Sequence, residues 1–138
     1  MADDKMLSVA VVSAERALWS GEAKSIVAKT PEGDIGILAN HEPVLALLVD
    51  SSALKIVEAD GSTMMVAVHG GFFSVAGNEV NVIAEVAELS ENIDVERAKA
   101  ALARLQAEGD RDEDGQSALK RAETRVQVAG IAKTVTTR

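Results

Sequence analysis

The chain has 138 residues, a length that fits one domain or a small domain with an appendage and buries a real core without staples. It has no cysteine and only two histidines, which excludes disulfides and thiolate metal sites and leaves no expected zinc site. A net charge of −8, with 2% aromatic residues and no tyrosine, argues against nucleic acid as a partner.

The first part of the chain reads as strands. LSVAVV places Leu7, Val9 and Val11 on one face. KSIVAKT and LKIVEAD continue the short β-rich pieces, and Asp60-Gly61 is a hairpin signal. Between them lies PEGDIGILANHEP (Pro31 to Pro43), with both prolines of the chain, Gly33, Gly36, His41 and three acids. The glycines are expected to allow tight turns and the prolines to stiffen the ends. This stretch has two readings: a connecting loop, or a rigid contact loop presenting Glu32, Asp34, His41 and Glu42 to a partner. TMMVAVHGGFFSVAGNEVNVIAEV then gives a strand, a glycine pair, a second strand, a Gly-Asn turn and a third strand. In the last, Val80, Val82, Ala84 and Val86 alternate with polar residues, as in a half-buried antiparallel strand. His69 falls inside this apolar stretch and reads as a strand histidine bonded to backbone. Short strands at close spacing imply a β-sandwich or flattened barrel over residues 1–88.

From residue 89 the pattern becomes helical. Asp94 reads as an N-cap and Gly109 as a stop. Val95, Ala98, Leu102 and Leu105 form one apolar stripe. The acidic run EGDRDEDG is a turn, and a second helix follows with Leu119, Ala122, Val126 and Ala129 on one face. The expected result is an antiparallel helical hairpin over residues 89–138. Its stripes are rich in alanine, so each buries little apolar area, and the hairpin is expected to move or detach. Charge divides the same way. Residues 1–92 carry 5 basic and 14 acidic side chains, whereas residues 93–138 carry 9 basic and 8 acidic. No apolar run approaches the roughly 20 residues that span a bilayer, and the N-terminus lacks signal-peptide character.

No G-x-S-x-G elbow, P-loop or G-x-G-x-x-G fingerprint is present. A hydrolase using His41 and a loop acid would need a concave pocket with a nucleophile in reach. The tail offers arginines instead. Arg97 and Arg104 share one face of the first helix, and Arg121 and Arg125 one face of the second. An antiparallel hairpin either brings the four together, where their forks suit phosphate oxygens, or leaves them on a solvated surface.

The order VVSAE, WSGEA, EGDIGILANHEPVLALL, HGGFFSV, EVNVIAEVAE and IDVERA resembles the epsilon subunit of bacterial F-type ATP synthases, over about residues 6–130. The resemblance implies an α+β protein, with an antiparallel β-sandwich of about ten strands followed by a two-helix hairpin. It implies a non-catalytic central-stalk rotor subunit that binds the gamma subunit and the c-ring and couples proton flow to ATP synthesis. Its helices are then expected to inhibit ATP hydrolysis by meeting the catalytic alpha/beta hexamer. The site implied is peripheral, on the cytoplasmic face of the bacterial plasma membrane, without membrane insertion. Glu32, Asp34 and His41 fall where the family touches the c-ring or gamma. IDVERA resembles the nucleotide-binding motif of some bacterial members. It carries over Ile93, Asp94, Arg97 and Ala98, with Glu88, Arg104, Arg121 and Arg125 at corresponding spacings. ATP is then a regulatory ligand, and no cofactor is required. The family's usual Leu-Pro-x-His-x-Pro stands here as LANHEP, with Ala39 in place of proline and Glu42 as an added acid. The alternative is a nucleotide-responsive regulatory module of another complex.

Overall fold

A computed structural model describes residues 5–108 and 112–129. Seven strands come first: β1 (Leu7–Ser13), β2 (Ala17–Thr30), β3 (Gly33–Leu38), β4 (Val44–Leu47), β5 (Ser52–Glu58), β6 (Thr63–Ala76) and β7 (Glu79–Leu89). A single 3-10 turn (Ser90–Asn92) leads to α1 (Val95–Ala107) and α2 (Glu113–Ala129).

The strands form one sheet in the order β1-β7-β6-β5-β2-β3, and β1 also pairs with β2, so the sheet closes on itself. The closed sheet is flattened into two layers because its long strands serve both. β2 pairs with β1 through its first half, and with β3 and β5 through its second. β6 pairs with β5 up to Val68 and with β4 from Phe72 onward. β7 pairs with β1 only as far as Ala84, while it follows β6 to Leu89. One layer is therefore β4, late β6, early β7, β1 and early β2. The other is β3, late β2, β5, early β6 and late β7. Counted by layer, β2, β6 and β7 each appear twice. This is why seven continuous strands stand where about ten were expected. The pairings are antiparallel except β1 with β7, which is parallel and so departs from the all-antiparallel expectation.

Alternation puts Leu7, Val9 and Val11 of β1 and Val80, Val82 and Ala84 of β7 into the space between the layers. Ile26, Ile37, Leu54, Ile56, Val66, Val68 and Phe73 are also part of that core. The hairpin turns fall where the sequence signals them. Asp60-Gly61 joins β5 to β6, with Gly61 at φ 91°. Gly77 and Asn78 join β6 to β7 with φ values of 57° and 65°, the pair of left-handed residues of a type I′ turn.

The stretch from Pro31 to Pro43 is not one loop. Pro31 and Glu32 make a short turn, and Gly33–Leu38 is β3. Ile35 and Ile37 supply an alternating pair that packs on the core, and Gly36 sits mid-strand opposite Val27. The second turn is held at Asn40, which has φ 68°. Its backbone N–H donates to the Asn78 Oδ1, and the Asn78 amide donates back to the Asn40 Oδ1 at 3.3 Å. Two asparagines thus pin this turn, which carries Ala39, to the next hairpin.

Asp94 caps α1, its carboxylate accepting from the Arg97 N–H at 3.1 Å. α1 ends at Ala107, and the expected stop at Gly109 and the residues after Ala129 lie outside the described residues. The helices pair with each other, and α2 also lies on β5 and β6. A second apolar cluster forms there from Ala53, Ala67, Ile93, Ala98 and Val128, with Met65, Val126 and Ala129 at its edge. Of the expected α1 stripe only Ala98 is fully buried. α2 uses two faces where one was read. One carries Ala122 and Val126, and the other turns Thr124 and Val128 toward the sheet.

Candidate functional site

Two regions have the makings of a site, on opposite outer faces of the sandwich. The first is the seam beneath the hairpin. Ala53 and Ala67 face each other across β5 and β6, and both point outward. Small side chains at these positions let the helices approach the sheet closely. Thr124 of α2 donates its hydroxyl to the Ser51 carbonyl at 2.9 Å. Arg125 forks onto Glu88 of β7, with Nε to Oε1 at 2.8 Å and Nη2 to Oε2 at 3.2 Å. His69 of β6 is 6% exposed, and its Nδ1 lies 3.1 Å from the Ser51 Oγ. Its hydrogen-bond partner is thus a side chain, where a backbone partner was expected. Burial pushes its pKa below the ordinary 6.5, against the pull of the Glu88 carboxylate.

Beside this seam is an open hollow of about 540 Å³ that runs along α1, from its cap to its last turn, and reaches Arg125 of α2. Arg97 and Arg104 line it from α1, Arg125 from α2, and Asn92 and Asp94 from the turn before α1. Its size suits a small ligand. Three of the four arginines therefore meet there. Arg121 is not part of the lining. It stands one turn before Arg125, near enough to His69 to lower the pKa of that ring. Glu88 holds Arg125 rather than standing apart from it. Ile93 and Ala98 are 5% and 1% exposed, packed in the second cluster, so their part is to seat α1 and they offer no side chain to a ligand.

The second region is the outer face of the other layer. Leu47, Phe72, Ile83 and Val12 lie in register across β4, β6, β7 and β1, forming one row. Leu45, two residues before Leu47, shares its face. Leu45 and Leu47 are 73% and 65% exposed, and Phe72 and Ile83 are also open. A contiguous exposed apolar row is a feature of interaction surfaces. This face was missed in the sequence, although VLALLV and GGFFSV carried the signal: apolar residues at both parities of a strand, which leaves some facing outward.

The residues read as a contact loop are divided. Glu32 and Asp34 stand at one end of β3, and Asp34 pairs with Lys29 directly across the ladder at 3.2 Å. His41 and Glu42 follow its other end. The His41 Nδ1 lies 2.7 Å from the Glu42 carbonyl oxygen, a partner that offers no nucleophile to activate. Among the described residues no cluster of three or more His, Asp or Glu side chains could hold a metal ion. Nor, among the described residues, is any helix long and apolar enough to cross a membrane.

The chain is thus a closed β-sandwich with a helical hairpin on one outer face, an open apolar row on the other and an arginine-lined hollow beside the hairpin. The family model of the ATP synthase delta/epsilon chain β-sandwich domain matches residues 6–90. The chain is similar to the ATP synthase epsilon chain of Streptomyces coelicolor, 46% identical over 123 residues, 89% of this chain and 94% of that protein. It is similar to that of Thermobifida fusca at 45% over 131 residues, covering 94% and 96%. Among solved structures, a chain of the Euglena gracilis mitochondrial ATP synthase, OSCP/F1/c-ring, aligns with TM-score 0.76 and 25% identity, covering 91% of this chain and 82% of that one. A chain of the Tetrahymena thermophila mitochondrial ATP synthase central stalk and c-ring shares the fold at TM-score 0.58 and 16% identity, covering 91% and 95%. This chain belongs to the ATP synthase epsilon family.

Proposed function

We propose that this chain is a non-catalytic rotor subunit of a proton-translocating ATP synthase, seated at the central stalk against gamma and the c-ring. The observation that carries the proposal is the open row Leu47–Phe72–Ile83 with Leu45 above it. A subunit that transmits torque needs a broad and stiff attachment, and a continuous sheet face offers both. The turns at the two ends of β3, with Glu32 and Asp34 at one and His41 and Glu42 at the other, add a polar rim. Leu47→Asp puts a charge in the row without touching the core. It should abolish co-purification with the gamma subunit while the isolated chain keeps its circular dichroism spectrum. Undiminished co-purification would remove this face from the assembly.

We also propose that the hollow of Arg97, Arg104 and Arg125 takes the phosphates of ATP, and that bound nucleotide holds the hairpin on the sandwich. Arg97 and Arg104 line one opening with Arg125, which Glu88 already pairs, and an arginine-rich lining of this kind suits a polyvalent anion. The sandwich and the hairpin then act as two units hinged near residue 89, and the hairpin's release toward the catalytic subunits restrains ATP hydrolysis.

A further inference from the structure

The polar groups of the seam come from separate elements: Ser51 from the β4–β5 connection, His69 from β6, Glu88 from β7, and Thr124 and Arg125 from α2. The His69 Nε2 lies 4.0 Å from the Glu88 Oε1, and the same oxygen already accepts from the Arg125 Nε at 2.8 Å. The ring thus stands as a second claimant for an anion that α2 needs. The charged groups facing it are Glu88 on β7, Asp50 before β5, and Arg121 and Arg125 on α2. His69 and Glu88 both belong to the β6–β7 ladder, where His69 pairs with Val86 and Ala67 with Glu88. They stay neighbours wherever the hairpin goes, whereas both arginines leave with α2.

We propose that His69 and Glu88 form a proton-operated latch for the helical hairpin, in which a proton on His69 draws Glu88 from Arg125 and releases α2 from the sheet. The direction follows from what α2 brings. Docked, the helix buries the ring and adds two cations, all of which disfavour imidazolium. Released, the ring regains solvent, loses both cations and keeps Glu88. A proton therefore binds the released form more tightly. Docking is at full strength above the released form's pKa and weakens as pH falls below it. Closing the latch needs no nucleotide and no other subunit, so this inference stands apart from the assembly and ATP proposals.

The test uses the full chain alone. With only two histidines, the His69 ring is followed directly by NMR from pH 8 to pH 5, alongside hydrogen exchange of the α2 amides corrected for intrinsic rate. Protection of α2 should fall by up to about 10-fold per pH unit between the released ring's pKa and the lower one of the docked ring. His69→Asn keeps a donor for Ser51 but cannot titrate in this range, and should hold α2 protection constant. Equal protection at pH 8 and pH 5 in the wild type would overturn the proposal, as would a pH dependence that persists in His69→Asn. Should His69→Asn fail to dock its hairpin, the wild type decides alone: His69 gaining its proton with α2 protection unchanged overturns the latch.

Discussion

A methyl group on Gly71 would lie 2.2 Å from the Ile83 carbonyl oxygen and 2.7 Å from the Ala84 Cα, on a backbone with φ 131°. Here β6 passes from one layer to the other, and Ile83 and Ala84 in the middle of β7 press against its backbone. Gly71→Ala should therefore cost roughly 2–5 kcal/mol by strain and overpacking together, read as a lower urea midpoint. Gly36 has the opposite setting: mid-strand, with nothing within 4 Å of an added Cβ. The same substitution there should be neutral or stabilise by about 0.5–1 kcal/mol. Sequence alone cannot separate the two, because the difference lies in what the neighbouring strand does. Asp94 was legible, since a cap needs only a carboxylate and the next three residues. His69 was not, because its partners Ser51, Glu88 and α2 are distant in sequence and nothing in VAVHGG announces them.

At the scale of elements, the strands were readable wherever one face is buried and the other wet. β7 shows this as far as Ala84. The reading failed for β3, where the glycines and acids of PEGDIGIL hid an Ile35–Ile37 alternation. The hairpin was legible as two helices, but its docking face was not. That face is signalled on the sheet by Ala53 and Ala67, small apolar residues at outward positions. Of the four arginines, only those around the hollow should govern nucleotide affinity. By calorimetry on the whole chain, Arg97→Ala should lose ATP binding and Arg121→Ala should keep most of it. Equal losses would mean that spacing along the helices, and not the lining of the hollow, selects the site. No binding by the wild type in the millimolar range would remove the nucleotide proposal.

Across the whole molecule, the hairpin covers one layer and the apolar row occupies the other. Release of the hairpin therefore leaves the proposed attachment face untouched. Truncation after Glu91 should raise the ATPase activity of the assembled complex while the shortened chain still assembles. Unchanged activity would exclude an inhibitory tail. The truncation also uncovers Ala53, Ala67 and Met65, a modest apolar patch, so the shortened chain should lose little solubility. The succession of strands and then two helices was legible from periodicity. The opposition of the two faces was not, because it depends on how the sheet closes.

That closure has a consequence for biosynthesis. β1 reaches its second neighbour only when Ser8 meets Glu79 and Ser13 meets Ala84 in the parallel ladder. On the ribosome, the barrel therefore stays open until β7 has emerged as far as Ala84, with one edge of β1 and one of β6 unpaired. The hairpin, built from local contacts, can form as soon as it leaves the exit tunnel, but its seat on β5 and β6 must by then be complete. A pause in translation within β7 would therefore expose open strand edges, whereas a pause after residue 91 would leave a closed barrel awaiting its tail.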